Sequence, residues 1–260
     1  MPTQARTGYC SDNGWEHAQR RLRALERVYD PGSTRRLAAL EVGPGWRCLE
    51  VGAGGGSITR WLCSRVAPNG RVLAVDLDTR FVADLRASNL DVAQLDVTVE
   101  DLPRGAYDLV HARAVLEHIP ARADVLAKLV AALAPGGWLL LEEPDTELTT
   151  ASAGGLHADV LARIETVLTG AGVDRSWARD LPCHLHEAGL VDIGAETEAP
   201  RSAGGSPGAE LLQLTGRQLR EPAIEAGATP EQLDDWDRAL SDPHTWFPGY
   251  VIVAAWGRRP

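Results

Sequence analysis

The segment LEVGAGGGS, residues 49–57, decides the fold of this chain, because an apolar run leads into a cluster of four glycines. Residues 47–51 have the composition of a β-strand, and residues 57–66 carry a helical apolar pattern. Glycine at such a junction adopts positive φ and lets a ligand approach the backbone closely. The start of the helix adds free N–H groups. The segment therefore predicts a ligand-binding loop between a strand and a helix.

Strands and helices alternate after this loop. The predicted strands span residues 47–51, 71–75, 92–97, 107–112 and 138–142, and the predicted helices between them span residues 57–66, 79–88 and 121–133. Successive strands joined by helices form right-handed crossovers and a parallel sheet with helices on both faces. Most of these strands are largely apolar, as strands buried on both faces are. The core is therefore predicted to be an α/β sheet.

Weaker patterns predict the flanking segments. Residues 15–40 are helical, and Asp30-Pro31-Gly32-Ser33 is expected to divide them into two helices. Further helices are expected at 156–168, 180–188, 210–226 and 231–240, with strands at 191–198 and 250–256. We expect a single domain with three parts: an N-terminal helical cap (1–42), a ligand-binding core (43–145), and substrate-side helices with C-terminal strands (146–260).

Composition excludes several classes of protein. With 260 residues, 44% of them hydrophobic, the chain can bury a core without disulfides or metals. A formal charge of −10 disfavours binding to nucleic-acid phosphates. No apolar run is long enough to span a membrane, and residues 1–6 lack an apolar signal core. The four cysteines are scattered without a C-x-x-C pair, which argues against a zinc site and favours a cytoplasmic location.

An acid follows the second predicted strand at Asp76, twenty residues after Gly56. A carboxylate in this position of a nucleotide-binding sheet accepts hydrogen bonds from ribose hydroxyls. Asp78 is the alternative for that role. The dinucleotide fingerprint G-x-G-x-x-G would need glycine at position 57, where this chain has Ser57, so a nicotinamide cofactor is disfavoured.

The pattern E-x-G-x-G-x-G, formed by Glu50, Gly52, Gly54 and Gly56, resembles motif I of the class I S-adenosylmethionine (SAM) methyltransferases. The segment LAPGGW, residues 133–138, resembles the turn before the fifth strand of that family, and the resemblance covers residues 47–145. It implies a Rossmann-like sheet of seven strands, mostly parallel with an antiparallel last strand, plus helical lid segments. Within the family the chain is most similar to actinobacterial small-molecule enzymes of the ubiquinone/menaquinone-methyltransferase-like group.

The resemblance also implies a set of cofactor contacts. Asp76 would bind the ribose. Asp96 and the backbone of Val97 would meet the adenine, with Thr98 or Glu100 as the alternative alignment. The fourth strand and its loop, including His111 and Arg113, would lie near the methionine part of SAM. The implied cofactor-binding residues are Glu50, Gly52, Ala53, Gly54, Gly56, Asp76, Leu77, Asp96, Val97, His111 and Arg113.

Candidate general bases are Glu143, Asp145 and His111, with His118, His157, His184 and His186 as weaker candidates. Glu143 and Asp145 follow the fifth strand at the edge where open α/β sheets bind ligands. Arg113 stands where a catechol-type enzyme needs a metal carboxylate, so no metal is expected. Tyr9 and Trp15 are expected either to close over the cofactor or to anchor the N-terminus.

The predicted function is methyl transfer from SAM to a small molecule, within specialised metabolism. The alternative is a SAM-binding enzyme of the same fold that catalyses cyclisation or decarboxylation. The tetrapeptide after the fourth strand, His111-Ala112-Arg113-Ala114, does not match that of enzymes acting on nucleic-acid amino groups. The expected partner is therefore a small-molecule substrate, with no nucleic acid and no membrane. The oligomeric state stays open, a homodimer included.

Overall fold

The structure, a computed structural model, describes residues 13–260 and shows a seven-stranded sheet, a two-stranded antiparallel sheet and surrounding helices. The strands are β1 Arg47–Val51, β2 Arg71–Asp76, β3 Leu90–Gln94, β4 Tyr107–Arg113, β5 Leu133–Asp145, β6 Val191–Glu198, β7 Arg201–Ala203, β8 Trp246–Pro248 and β9 Val251–Arg258. The α-helices are α1 Ala18–Ala39, α2 Ser57–Val66, α3 Arg122–Ala132, α4 Thr146–Ala151, α5 Gly155–Gly170, α6 Leu181–Glu187, α7 Pro207–Gln218, α8 Arg220–Glu225 and α9 Pro230–Ala239.

The strand order of the large sheet is β3-β2-β1-β4-β5-β9-β6. Strand β9 is antiparallel to both of its neighbours, and the remaining pairs are parallel. The order changes direction at β1, because β2 lies on one side of it and β4 on the other. A crevice opens at the carboxyl ends of the strands at such a point, and the glycine loop leaves β1 there. The predicted sheet with its antiparallel last strand is confirmed.

Apolar side chains cover both faces of this sheet. One cluster of buried residues includes Leu49, Val110 and Leu139 and extends to α3 and α6. A second cluster includes Cys48 and Leu109 and extends to α1 and α2. Successive residues of a strand face opposite sides, so consecutive apolar residues such as Cys48 and Leu49 are buried in the two different clusters. Such runs are why the sequence signal of these strands was strong.

The predicted division of the first helix at residues 30–33 is wrong, because α1 runs through Pro31 without interruption. The hydroxyls of Ser33 and Thr34 donate to backbone carbonyls one turn earlier (3.2 and 2.7 Å). A Cβ at Gly32 would overlap the carboxylate of Glu198 on β6, so α1 lies close to the sheet at this point. Packing against the sheet thus outweighs the local Pro-Gly signal.

The segment after β2 also differs from expectation. The predicted helix at 79–88 is a single 3₁₀ turn, Thr79–Phe81, which Asp78 caps by accepting from Arg80 N (3.1 Å). The chain then places the side chains of Val82 and Leu85 against Gly56. The apolar residues that suggested a helix therefore pack on the glycine loop instead.

Helices α5, α7, α8 and α9 share a separate cluster of buried apolar side chains that includes Ile164, Leu212 and Trp236. The predicted helix at 210–226 is in fact the pair α7 and α8. The small antiparallel sheet formed by β7 and β8 was not predicted. Residues 146–260 supply both this helical cluster and strands β6 and β9 of the sheet. Within residues 13–260 no helix is long and apolar enough to cross a membrane.

Candidate cofactor-binding and active site

The glycine segment forms a tight loop between β1 and α2. Gly52 N and Ala53 N both donate to Val75 O on β2 (2.9 and 3.2 Å), which turns the chain at the strand end. Gly52 and Gly54 have φ angles of 73° and 53°, in the left-handed region that favours glycine. A Cβ at Gly52 would overlap Val115 in the loop after β4. Glycine is therefore required here for the turn and for the approach of the neighbouring loop.

The carboxylate of Asp76 is held beside this loop at the end of β2. Its Oδ2 accepts from Gly54 N (2.8 Å) and its Oδ1 accepts from Asp78 N (3.0 Å). Burial raises the pKa of Asp76, and these amide hydrogen bonds oppose the rise. Each oxygen keeps a lone pair for a further donor. Asp78 is instead paired with Arg80 (Nε–Oδ2, 2.7 Å), so the geometry favours Asp76 as the ribose acceptor.

The residue after this carboxylate, Leu77, is an apolar side chain that is 39% exposed. The predicted adenine contacts lie in one turn that follows β3. Asp96 Oδ1 accepts from Thr98 N and Thr98 Oγ1 (3.0 and 2.6 Å), and Asp96 N donates to Glu100 Oε1 (2.9 Å). Val97 is buried in the core. The exposed side chain of Leu77 thus presents an apolar surface suited to the adenine ring. The contact between adenine and a particular residue of the turn after β3 stays a prediction.

Helix α1 lies across the glycine loop, a contact that was not predicted. Leu22 Cδ2 would lie 3.5 Å from a Cβ at Gly54, which is ordinary van der Waals contact. Glu26 Oε1 accepts from Ser57 N (3.2 Å), so a carboxylate stabilises the start of α2. Leu22, Glu26 and Asp30 are spaced by four residues and share one face of α1. That spacing was the signal available in the sequence.

Asp30 joins α1 to the ends of two other elements. Its Oδ1 accepts from Arg113 Nη2 at the end of β4 (2.9 Å) and from Ser57 Oγ at the start of α2 (3.1 Å). Arg113 Nη1 also donates to Ser33 Oγ (2.8 Å). The predicted cofactor residue Arg113 therefore holds α1 against the loop, and a direct contact with the cofactor stays a prediction.

A row of buried charges crosses the face of the sheet that α1 covers. Glu50 on β1 is the register partner of His111 on β4. Glu142 on β5 lies two residues beyond Leu140, the partner of His111, and so faces the same side. His111 Nε2 is 3.0 Å from Glu142 Oε2. His111 Nδ1 is 3.5 Å from Glu50 Oε1, an ion-pair distance without hydrogen-bond alignment.

Arg36 of α1 extends this row to the far edge of the sheet. Its Nη1 donates to Glu142 Oε1 (2.6 Å), its Nη2 to Glu198 Oε2 (2.7 Å), and its Nε to Glu196. Ala254 on β9 is the register partner of both Glu142 and Glu196, and its small side chain leaves room for the guanidinium. The row runs from β1 to β6 and alternates between carboxylates and the two cations, His111 and Arg36. Buried ions are tolerated when each has partners of opposite charge.

The row determines the protonation of His111. Burial alone lowers the pKa of His111, but Glu50 and then Glu142 outweigh burial and raise that pKa to about 9. Burial works to raise the pKa of Glu142, but the hydrogen bond with His111 outweighs it and lowers that pKa to about 2. His111 is therefore a cation at neutral pH, fully buried between two carboxylates. This geometry makes it a positioning residue for Glu50, although it was predicted as a base and a cofactor contact.

Glu50 is the member of the row that lies next to the glycine loop. Its Oε1 faces His111, while its Oε2 is buried and has no hydrogen-bond partner among residues 13–260. An unpaired buried carboxylate oxygen is costly unless a donor or cation meets it. Glu50 therefore presents an acceptor for a positively charged group.

Glu143, predicted as a base at the end of β5, is fully buried and holds the loop after β4. Its Oε1 accepts from Leu116 N (3.0 Å) and Val115 N (3.3 Å), and its Oε2 accepts from Glu117 N (3.2 Å). Burial raises the pKa of Glu143 to about 7, against the effect of these amides. The carboxylate is thus committed to the backbone that packs on Gly52 rather than turned toward open space.

Asp145, the other predicted base at this edge, is also fully buried. Its Oδ1 accepts from Leu148 N (2.8 Å) at the start of α4. Arg179 donates to both of its oxygens (2.9 and 3.0 Å). These contacts are those of a helix cap and a structural ion pair, so the geometry does not favour a role as base for either carboxylate.

The other predicted candidates also bind protein groups or fall outside the described residues. Trp236 Nε1 donates to His157 Nδ1 (2.8 Å), and His184 stacks on Trp177. Trp15 packs edge-on against the neighbouring His17, and Tyr9 lies outside residues 13–260. In that same range no three His, Cys, Asp or Glu side chains are grouped so as to hold a metal ion.

Comparison with known proteins agrees with this geometry. Residues 49–139 match a family model described as a methyltransferase domain. Methyltransferase str3 of Strobilurus tenacellus is 33% identical over 52% of this chain and 47% of its own length, so the chain spans about half of that relative. Trans-aconitate 2-methyltransferase of Methylobacterium nodulans is 29% identical over 88% of this chain and 90% of its own.

A solved structure shares the fold. Phosphoethanolamine N-methyltransferase 2 of Haemonchus contortus, solved with S-adenosylhomocysteine, superposes with a TM-score of 0.59 at 16% identity, over 94% of this chain and 58% of that one. The matched domain begins in β1 and ends in β5, and therefore contains the glycine loop, Asp76 and the row from Glu50 to His111. Residues 49–139 thus match a methyltransferase domain, and the chain shares its fold with this solved structure.

Proposed function

We propose that this chain transfers the methyl group of SAM to a small organic acceptor. The observation that carries the proposal is the arrangement where β1 and β2 end. A left-handed glycine loop lies beside the fixed carboxylate of Asp76, which keeps one lone pair on each oxygen. The exposed side chain of Leu77 follows directly. Together these groups match a nucleoside with a free ribose diol.

The residues present fit the cofactor at both of its ends. The backbone of Gly52, Ala53, Gly54 and Gly56 would surround it, and Asp76 would accept from its ribose. The unpaired Oε2 of Glu50 supplies the acceptor that an amino group at the other end requires. When bound, SAM supplies an electrophilic methyl group on a sulfonium.

The protein contributes alignment and exclusion of water. Leu22 and Glu26 place α1 over the glycine loop, and Asp30 fixes the helix to β4 and α2. Displacement at a methyl carbon depends strongly on such alignment. Glu143 and Asp145 hold the loop after β4 and the start of α4, and the proposal assigns them no proton transfer.

Several features support a small acceptor. The net charge of −10 disfavours a nucleic acid. The relative from Methylobacterium is named for trans-aconitate, a small molecule, and it covers nearly the whole of this chain. Membership of the ubiquinone/menaquinone-like group, a place in specialised metabolism, an actinobacterial origin and a cytoplasmic location belong to the same proposal. So does the three-part division at residues 42 and 145.

Two measurements test the proposal. Calorimetry with S-adenosylhomocysteine is expected to give one site per chain, with the same affinity in the presence of EDTA. Incubation with methyl-labelled SAM and an extract of the source organism is expected to move the label into a small product that gains one methylene unit of mass. Absence of binding would refute the cofactor site. Conversion of a substrate without transfer of label would favour cyclisation or decarboxylation instead.

A further inference from the structure

One arginine of α1 is buried and lacks a partner among residues 13–260. Arg21 is only 7% exposed, and its Nε is buried with no hydrogen-bond partner in that range. No carboxylate in the part of the chain that the structure describes lies within ion-pair distance of it. Other buried charges of the site, such as Arg36 and Glu143, are bound by protein groups. A buried ion without a counterion is strongly unfavourable, so Arg21 calls for an anion from outside the fold.

Arg21 lies beside the proposed cofactor site. The next residue, Leu22, packs over Gly54, and Val115 packs on Gly52 at the start of the segment that carries His118. Burial, and then Arg21, lower the pKa of His118 to about 4, which places the guanidinium within electrostatic reach of that loop. Arg21 therefore lies between the body of α1 and the loop after β4, next to the glycine loop.

Strand β9 and helix α7 lie on the other side of Arg21. Tyr250, the residue before β9, packs against a cluster of buried residues that includes Leu211 on α7. Burial raises the pKa of Tyr250 to about 12, and Arg21 acts against that rise, so the guanidinium also reaches this side. Tyr250 O in turn accepts from Tyr29 Oη on α1 (2.9 Å), which anchors the strand end to the same helix.

The groups around Arg21 leave its charge uncompensated. His118 and Tyr250 are both neutral at neutral pH because of the shifts described above. Burial, and then the neighbouring Glu143, raise the pKa of Glu117 well above its usual range. Neither the imidazole of His118 nor the phenol of Tyr250 therefore compensates the positive charge of Arg21.

We propose that Arg21 binds a carboxylate of the methyl acceptor, so that the acceptor is an organic acid. The inference rests on the proposed function and names the substrate class of that site. One guanidinium matches one carboxylate in charge and in its paired N–H donors. A phosphate dianion would bring a second negative charge, and the groups described around Arg21 include no second cation to balance it.

The test compares wild type, Arg21→Met and Arg23→Met, all saturated with S-adenosylhomocysteine. Met keeps the aliphatic stem of the arginine and removes only the guanidinium, and Arg23 is an exposed arginine of the same helix. Each protein is titrated with acetate, and separately with the neutral isostere acetamide, at constant ionic strength. Tm is the readout, and calorimetry reports cofactor affinity in parallel.

We expect acetate to raise the Tm of wild type and Arg23→Met by a few degrees more than acetamide does, and to lose this advantage in Arg21→Met. Without acetate, Arg21→Met is expected to be at least as stable as wild type, because an unpaired buried charge has been removed. Equal effects of acetate and acetamide on wild type, or a lower Tm of Arg21→Met without ligand, would overturn the proposal. Calorimetry separates the two proposals: binding of S-adenosylhomocysteine without the acetate effect refutes only the organic-acid site.

Discussion

Raising the pH above neutrality is expected to weaken the fold through one buried residue, His111. Its pKa rises from the ordinary value of 6.5 to about 9 in the folded protein, between the carboxylates of Glu50 and Glu142. A group with a raised folded pKa stabilises the fold fully below its unfolded pKa. That contribution is lost as the pH rises through the folded pKa, so the sensitive window extends from pH 6.5 to about 9.

The size of the effect follows from the shift. Each pKa unit corresponds to about 1.36 kcal/mol, so the full contribution of His111 to the free energy of unfolding is about 3 kcal/mol. Of this, about 2 kcal/mol is lost between the lower end of the window and about pH 8.5. No discount for solvent screening applies, because His111 is fully buried.

The assay is urea unfolding of wild type and His111→Gln at these two pH values, followed by tryptophan fluorescence. Gln keeps an uncharged polar side chain that does not titrate. The stability gap between the two proteins is expected to narrow by about 2 kcal/mol as the pH rises. Titrating groups that do not contact His111 behave alike in both proteins and cancel in the gap. His186→Gln, at an exposed position on α6, serves as the matched control and is expected to show no such change.

A gap of equal size at both pH values would refute the reasoning. It would mean that His111 is neutral in the folded protein, and that the row from Glu50 to Arg36 does not hold a proton on the imidazole. The proposed positioning of Glu50 would then lose its electrostatic basis.

Three further predictions concern the loop and the acids around it. Asp76→Ala is expected to weaken binding of S-adenosylhomocysteine by about 1.5–3 kcal/mol, roughly tenfold to a hundredfold. Asp78→Ala is expected to have a much smaller effect, because the Asp78 carboxylate is already paired with Arg80. If calorimetry shows the reverse ranking, the ribose contact belongs to Asp78. Gly54→Val is expected to abolish binding of S-adenosylhomocysteine. Gly105→Val introduces similar backbone strain, at φ 64°, but its side chain points into open space, so this variant is expected to keep the binding. The pair therefore distinguishes backbone strain from a side chain that fills the cofactor site. Glu143→Ala is expected to lower the free energy of unfolding by about 3 kcal/mol or more, because three backbone amides lose their acceptor. A thermal or urea midpoint unchanged from wild type would show that Glu143 does not hold the loop after β4.

The amino-acid sequence alone predicted the sheet and the glycine loop because both depend on local rules. Strand β1 agrees with its predicted span, 47–51, since a strand buried on two faces is largely apolar and stands out as a short run in the sequence. Gly52 and Gly54 marked the loop because only glycine adopts its left-handed turn at low cost. The position of Asp76 followed from the loop, because both lie at the carboxyl ends of adjacent parallel strands.

The tertiary structure alone decided which partners the charged residues have. Three acids that are nearly contiguous in sequence have quite different partners. Glu142 binds His111 and Arg36, Glu143 binds three backbone amides, and Asp145 binds Arg179. Strand alternation separates Glu142 from Glu143, but the choice of partner depends on register across β4, β5 and β9. In the same way, the path of α1 through Pro31 and the isolation of Arg21 arise from the packing of that helix on the sheet. Such contacts join residues that are distant along the chain, and no local pattern encodes them.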